Sequence, residues 1–135
     1  MNIYLDIDGT LHHKKGGLPA TDLKEFLEYV TKNHTVYWLT SHCRGGANRA
    51  VEHIVQQNNP SADVLALLDE IIPTNWNLRK TEAIDFSQDF IWLDDYVFED
   101  DKAVLRKNKV FNSLVIIDLE GNPNQLTDLI DEGLF

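Results

Sequence analysis

The sequence predicts an α/β protein: a single-domain, Rossmann-like three-layer sandwich around a central parallel sheet of five strands. Three observations carry this prediction. Short β-rich runs alternate with stretches whose apolar residues recur at helical spacing. Several of those runs are apolar almost throughout, as strands covered on both faces should be. Polar residues collect just after the runs, and open parallel sheets bind ligands beyond the carboxyl ends of their strands.

The first strand is read from Ile3 to Ile7, followed by a glycine-containing loop from Gly9 to Ala20. Leu23, Phe26, Leu27 and Val30 then mark a helix, with Thr21 as its expected N-cap. Thr35–Leu39 reads as the second strand, ending at Thr40 and Ser41. Ala47, Ala50, Val51, Ile54 and Val55 outline the next helix, stopped by Asn58-Asn59-Pro60. A shorter helix from Ser61 to Leu68 leads into a brief third strand around Glu70 to Ile72, and Lys80 to Ile84 is expected to open another helix. Phe90–Leu93 forms the fourth strand and ends on Asp94-Asp95. A helix over Phe98 to Lys107 and a fifth strand over Leu114 to Ile117 follow. The last helix is expected to start with Asn122 as N-cap and Pro123 at the first helical position, with Leu126, Leu129 and Ile130 facing inward.

A chain of 135 residues has room for one core. No apolar run approaches the roughly 20 residues that span a bilayer, and the first residues read as a strand rather than a secretory signal. Cys43 is the only cysteine, which excludes an intrachain disulfide and agrees with a reducing compartment. The expectation is a soluble, cytoplasmic protein without a membrane partner. The net charge of −10 argues against an extended nucleic-acid surface, which needs clustered Lys and Arg.

Asp6-Ile7-Asp8-Gly9-Thr10 closes the first strand. Alternation along a strand puts Asp6 and Asp8 on one face, with Ile7 turned into the core, and Gly9 lets the chain break out of extended geometry. Two carboxylates so placed can hold a hard divalent cation or supply a nucleophile beside a general acid. Thr40, Asp94 and Asp95 fall at other strand ends, so three separate strands deliver groups suited to one reaction.

The order of these features, DxDGT first, then Thr40, Lys80 and Asp94-Asp95, resembles the haloacid dehalogenase-like superfamily of phosphohydrolases. The motifs span residues 6 to 95, and the last strand and helix complete the expected core. The resemblance implies that Asp6 is the nucleophile and that Asp8 protonates the leaving group and later activates water. It further implies Mg2+ held by the Asp6 side chain, the Asp8 backbone carbonyl and the acidic pair, with Asp95 direct and Asp94 a ligand or its partner. Thr40 would hydrogen-bond a phosphoryl oxygen, and Lys80 would neutralise phosphate charge, with Arg79 as its competitor. Neither position at which the superfamily inserts a cap is long enough for one here, so the protein looks capless. An open site admits a bulky phosphorylated substrate. The surroundings of Thr40, Lys80 and Asp94 also look like a small capless group found in predicted RNA-repair proteins, which makes polynucleotide ends one candidate substrate.

Gly9, Thr10, Ser41, His42 and Arg44 are the expected substrate contacts. His12, His13, Lys14 and Lys15 form a basic cluster after the first motif, either attracting phosphate or remaining a solvated loop. His42-Cys43 lacks the second ligand pair that a zinc site needs. Asp100 and Asp101 either assist around the metal or, the favoured reading, sit in the solvated first turn of a helix, where negative charge is favourable. The rival readings are a receiver-like domain, which would want adjacent acids first rather than late, and a catalytically silent phosphate-binding module.

Overall fold

A computed structural model describes residues 1–135. Four of the apolar runs form strands: β1 (Asn2–Leu5), β2 (Thr35–Trp38), β3 (Phe90–Asp94) and β4 (Leu114–Ile116). They make one all-parallel sheet in the order β2-β1-β3-β4. Five helices connect or follow them: α1 (Leu23–Asn33), α2 (Ala50–Asn58), α3 (Ala62–Asp69), α4 (Glu99–Lys107) and α5 (Gln125–Asp131).

Side-chain alternation divides the core into two layers. Ile3 and Leu5 of β1 and Ile91 and Leu93 of β3 join a large apolar cluster with Phe26, Leu27 and Val30 of α1, Ile54 of α2, Leu68 of α3 and Leu126 of α5. Tyr4, Phe90 and Trp92 point the other way and pack with Leu105 of α4, Trp76 and Val97. Both faces of the sheet are therefore covered, which explains why its strands read as nearly continuous apolar runs. Each fully buried Leu or Phe contributes about 1.5–3 kcal/mol relative to exposure.

The sheet has four strands, not five. Ile71 is buried and Ile72 exposed, and Ile72 forms an isolated parallel bridge with Tyr37. That bridge holds two hydrogen bonds, Trp38 N to Ile72 O at 2.8 Å and Ile72 N to Val36 O at 2.9 Å. Pro73 follows, and without an N–H it cannot extend the ladder.

Four helix starts also differ from expectation: α2 begins at Ala50, so Ala47 lies in the loop before it. Asp22, not Thr21, precedes α1; it takes the left-handed conformation (φ 55°), and its carbonyl accepts from Phe26 N at 3.1 Å. Asn122 forms a side-chain turn, accepting from Asn124 N at 3.1 Å, so Pro123 lies inside that turn and Asn124 precedes α5. The segment after Arg79 is a single 3₁₀ turn, Lys80–Ala83. Here the Glu82 carboxylate accepts from the amides of Asn77, Leu78 and Arg79 at 2.9, 3.1 and 2.9 Å, fixing a tight loop where a longer helix would need those amides rearranged. No helix is long and apolar enough to cross a membrane.

Candidate functional site

The chain passes from β1 to β2 on one side and then from β2 back past β1 to β3 on the other, so the strand order reverses beside β1. Open sheets place their ligand crevice at such a reversal. Leu5 pairs with Leu93, so the residues that follow, Asp6 and Asp94, emerge side by side. Asp6 N donates to Leu93 O at 3.0 Å, fixing the first carboxylate at the end of the ladder.

Lys80 joins these two aspartates. Its Nζ donates to Asp94 Oδ2 at 2.7 Å and to Asp6 Oδ1 at 3.3 Å. Burial pushes the Asp6 carboxyl up, partly offset by the Lys80 ammonium. Burial raises Asp94 further, and the neighbouring Asp6 charge adds to the rise. Burial alone would lower Lys80, but the charges of Asp6 and Asp94 outweigh it and hold the amine above its ordinary value. Arg79 does not compete for this position: its nearest acid is Asp100, at 4.0 Å on the surface.

The turn carrying Lys80 has an anchor that the sequence reading assigned to solvent. Asp101 is buried, and its Oδ1 accepts from Thr81 N at 3.0 Å and Thr81 Oγ1 at 2.8 Å. Asp100 is exposed as expected. The distinction follows from α4 itself: Asp101 lies four residues before the buried Leu105 and shares its inner face.

Asp8, two residues after Asp6, has a different environment. Its Oδ1 accepts from His12 Nε2 and His53 Nε2, both at 2.7 Å, and its Oδ2 from His42 Nε2 at 3.2 Å. These N–H groups, His12 foremost, hold the carboxyl well below the usual carboxylate range. The rings of His42 and His53 stack with centroids 3.8 Å apart. His12 is thus a buried partner of Asp8 rather than part of a solvated loop. His53 was not among the expected site residues. Its available signal was position: it is the fourth residue of α2, which begins soon after the second strand end and so starts beside the site.

An open pocket above the strand ends is walled by Asp6, Asp8, Lys14, Ser41, Lys80, Asp94, Asp95 and Tyr96. Ser41 reaches it, whereas Thr40 is fully buried; the Thr40 hydroxyl accepts from His42 N at 3.4 Å and its carbonyl from Trp76 Nε1 at 3.0 Å. Thr10 is also fully buried, and its Oγ1 has no hydrogen-bond partner. His42 is turned toward Asp8, and Cys43 is buried in the large apolar cluster, so the two do not act as a ligand pair. Arg44 lies outside the pocket wall, with Nε donating to Asn77 O at 2.7 Å. Gly9 is required where it stands: its φ is +77°, and a Cβ there would lie 2.5 Å from Asp95 Oδ2.

The carboxylate oxygens of Asp6, Asp94 and Asp95 lie within 4.8 Å of one another, a hard-oxygen set that fits a small divalent cation. Within it the two Asp94 oxygens already accept from Lys80, Trp92 Nε1 at 3.2 Å and Tyr96 N at 3.2 Å. Asp95 is less committed, meeting only Lys14 among the cations, at 3.0 Å. Comparison of the chain with protein-family models, with curated proteins and with solved structures returned no match.

Proposed function

We propose that the protein is a magnesium-dependent phosphatase of the haloacid dehalogenase-like type, hydrolysing a phosphomonoester through an aspartyl-phosphate on Asp6. The observation that carries this reading is the Asp6–Lys80–Asp94 group at the sheet's crevice, with Asp8 beside it and Asp95 facing the same open pocket. A buried carboxylate with a fixed cation next to it is a suitable nucleophile toward an anionic phosphate.

In the first step an Asp6 oxygen bonds to phosphorus while the bond from phosphorus to the ester oxygen breaks. Asp8 delivers a proton to the departing oxygen. Because the three imidazoles hold Asp8 ionised, that proton passes through it from one of them in its protonated form, which is left neutral and takes back the proton that Asp8 removes from water in the second step. In the second step Asp8 removes a proton from water, which attacks phosphorus and releases inorganic phosphate from Asp6. Lys80 neutralises the phosphoryl charge throughout, and Ser41, on the pocket wall, takes the phosphoryl contact expected of Thr40. Asp6, Asp95 and the Asp8 carbonyl would hold Mg2+, with Asp94 orienting Lys80. The cation, when bound, screens the repulsion between the carboxylate and the phosphate.

Hydrolysis of a generic aryl phosphate by wild type, Asp6→Asn and Asp8→Asn, with and without Mg2+, tests the reading. Asp6→Asn is expected to lose activity by about a thousandfold or more, Asp8→Asn by about 10²–10⁴, and chelation to abolish turnover until Mg2+ is restored. Activity unchanged by both substitutions excludes the mechanism. Phosphate binding without turnover on any ester favours a silent binding module.

A further inference from the structure

Lys80 and Tyr96 wall two adjoining concavities. One is the acidic pocket; the other, with a volume of about 110 Å³, is bounded also by Arg44, Trp76, Leu78 and Phe98. Leu78, Tyr96 and Phe98 are 79%, 64% and 68% exposed, large apolar side chains gathered at one edge of a site otherwise built from charge. A patch of this kind, rimmed by polar groups, is a feature of ligand sites. The patch is also ordered from beneath. Tyr96 N donates to Asp94 Oδ1 at 3.2 Å, and the Tyr96 and Phe98 rings meet edge to face at 5.3 Å. The Arg44 guanidinium lies 5.4 Å from the centre of the Trp76 ring while Nε is held by Asn77 O. Asp101 borders the same cavity, but its Oδ1 is engaged by Thr81.

We infer that this second cavity is the leaving-group subsite, and that the alcohol released carries a planar ring. The inference rests on the phosphatase reading and deepens it. A ring on Tyr96, Phe98 and the Arg44–Trp76 pair gains stacking and cation–π contact, while the anionic end of the same molecule meets Lys80. Arg44 borders this cavity, and Lys80, shared with Asp6 and Asp94, stands where it joins the acidic pocket. The volume is of the order of the roughly 150 Å³ cavity that accommodates benzene, so one ring enters and the remainder of the alcohol stays in solvent. A simple arylalkyl ester and a nucleoside monophosphate both present such a ring.

Benzyl phosphate, a nucleoside 5′-monophosphate and butyl phosphate are all esters of primary alcohols, so intrinsic reactivity differs little among them. Steady-state kinetics on the three with wild type, Tyr96→Ala, Tyr96→Phe and Phe98→Ala decides the matter. Wild type is expected to favour a ring-bearing ester over butyl phosphate by about tenfold in kcat/KM, expressed in KM. Both alanine variants should bring that ratio toward one, and Tyr96→Phe should retain it. Whichever ring-bearing ester shows the larger ratio identifies the source of the ring. Equal use of butyl and ring-bearing esters, or a ratio untouched by both alanine variants, overturns the subsite and leaves the phosphatase reading intact. A wild-type dimer that both alanine variants convert to monomer overturns it too, by making the patch a self-association surface. Failure of wild type to hydrolyse any ester removes the phosphatase reading and this inference with it.

Discussion

Asp6 and Asp8 are separated by one residue, yet their surroundings impose opposite protonation tendencies. Asp6 is buried at a strand end, shares one ammonium with Asp94, and its carboxyl is pushed up. Asp8 is partly exposed, receives three imidazole N–H groups, and its carboxyl is pushed down. Strand geometry alone makes the pair look equivalent. What separates them is the set of elements each carboxylate meets: the Lys80 turn and β3 on one side, the His12 loop, the Ser41–Cys43 turn and α2 on the other. In the proposed mechanism each tendency is offset by a neighbour: the Lys80 ammonium favours the charged form of Asp6 that attacks, and an imidazolium beside Asp8 supplies the proton that Asp8 itself does not hold.

The largest break in this comparison should come from Lys80→Met. It leaves two buried carboxylates without their cation, and a loss of about 3–5 kcal/mol is expected near neutral pH. The raised carboxyls of Asp6 and Asp94 take up protons as pH falls, so the deficit relative to wild type should narrow in acid. Urea unfolding at a mildly alkaline and an acidic pH measures both; a deficit independent of pH would show that the lysine does not compensate these charges.

A smaller effect on the same side is expected from Asp101→Ala, which strips the acceptor from a buried amide and hydroxyl of Thr81. The expected cost is about 1–3 kcal/mol, with a lower kcat because Lys80 is next to the freed residue. Asp101→Asn keeps one acceptor and should recover part of both losses. Thermal unfolding alongside kinetics checks this, and a kcat equal to wild type in Asp101→Ala would detach the turn from the site.

On the Asp8 side, the ionised carboxylate contributes stability that is complete above its ordinary value of 3.8 and is lost as pH falls through the lower folded value. The stability gap between wild type and Asp8→Asn should therefore close in strong acid, where both side chains are neutral. His53→Ala sharpens the comparison with the smallest perturbation. Carboxyl carbon chemical shifts should show Asp8 titrating closer to its ordinary value while Asp6 titrates as in wild type; movement of Asp6 by the same amount would mean the two environments are not separate.

Much of this was legible from the chain. The four strands follow from apolar runs long enough to be recognised without context, and Asp6, Lys80 and Asp94 converge because two adjacent strand ends and the Lys80–Ala83 turn ahead of β3 bring them there. Helix starts were less legible because neighbouring polar residues compete: Asp22 takes the left-handed position beside Thr21, and the side chain of Asn122 closes a turn of its own before α5 begins. Thr40 and Ser41 stand at a strand end as the sequence predicts, but which of them lines the pocket depends on the 3₁₀ turn Ser41–Cys43. The histidine group was the least legible. His12, His42 and His53 lie on three separate segments, so only folding reveals that all three Nε2 atoms face the same carboxylate. Asp101 carried a readable signal in its spacing from Leu105, outweighed by the acidic run around it.

The abbreviated pairing at Ile72 bears on how the sheet meets other chains. β2 is an outer strand, and an outer strand offers unpaired amides and carbonyls to any extended peptide that approaches. Ile72 occupies the carbonyl of Val36 and the amide of Trp38, and the exposed Pro73 has no N–H with which to carry the ladder on. Two hydrogen bonds and one imino acid thus act as an edge guard, protecting this flank from intermolecular strand addition.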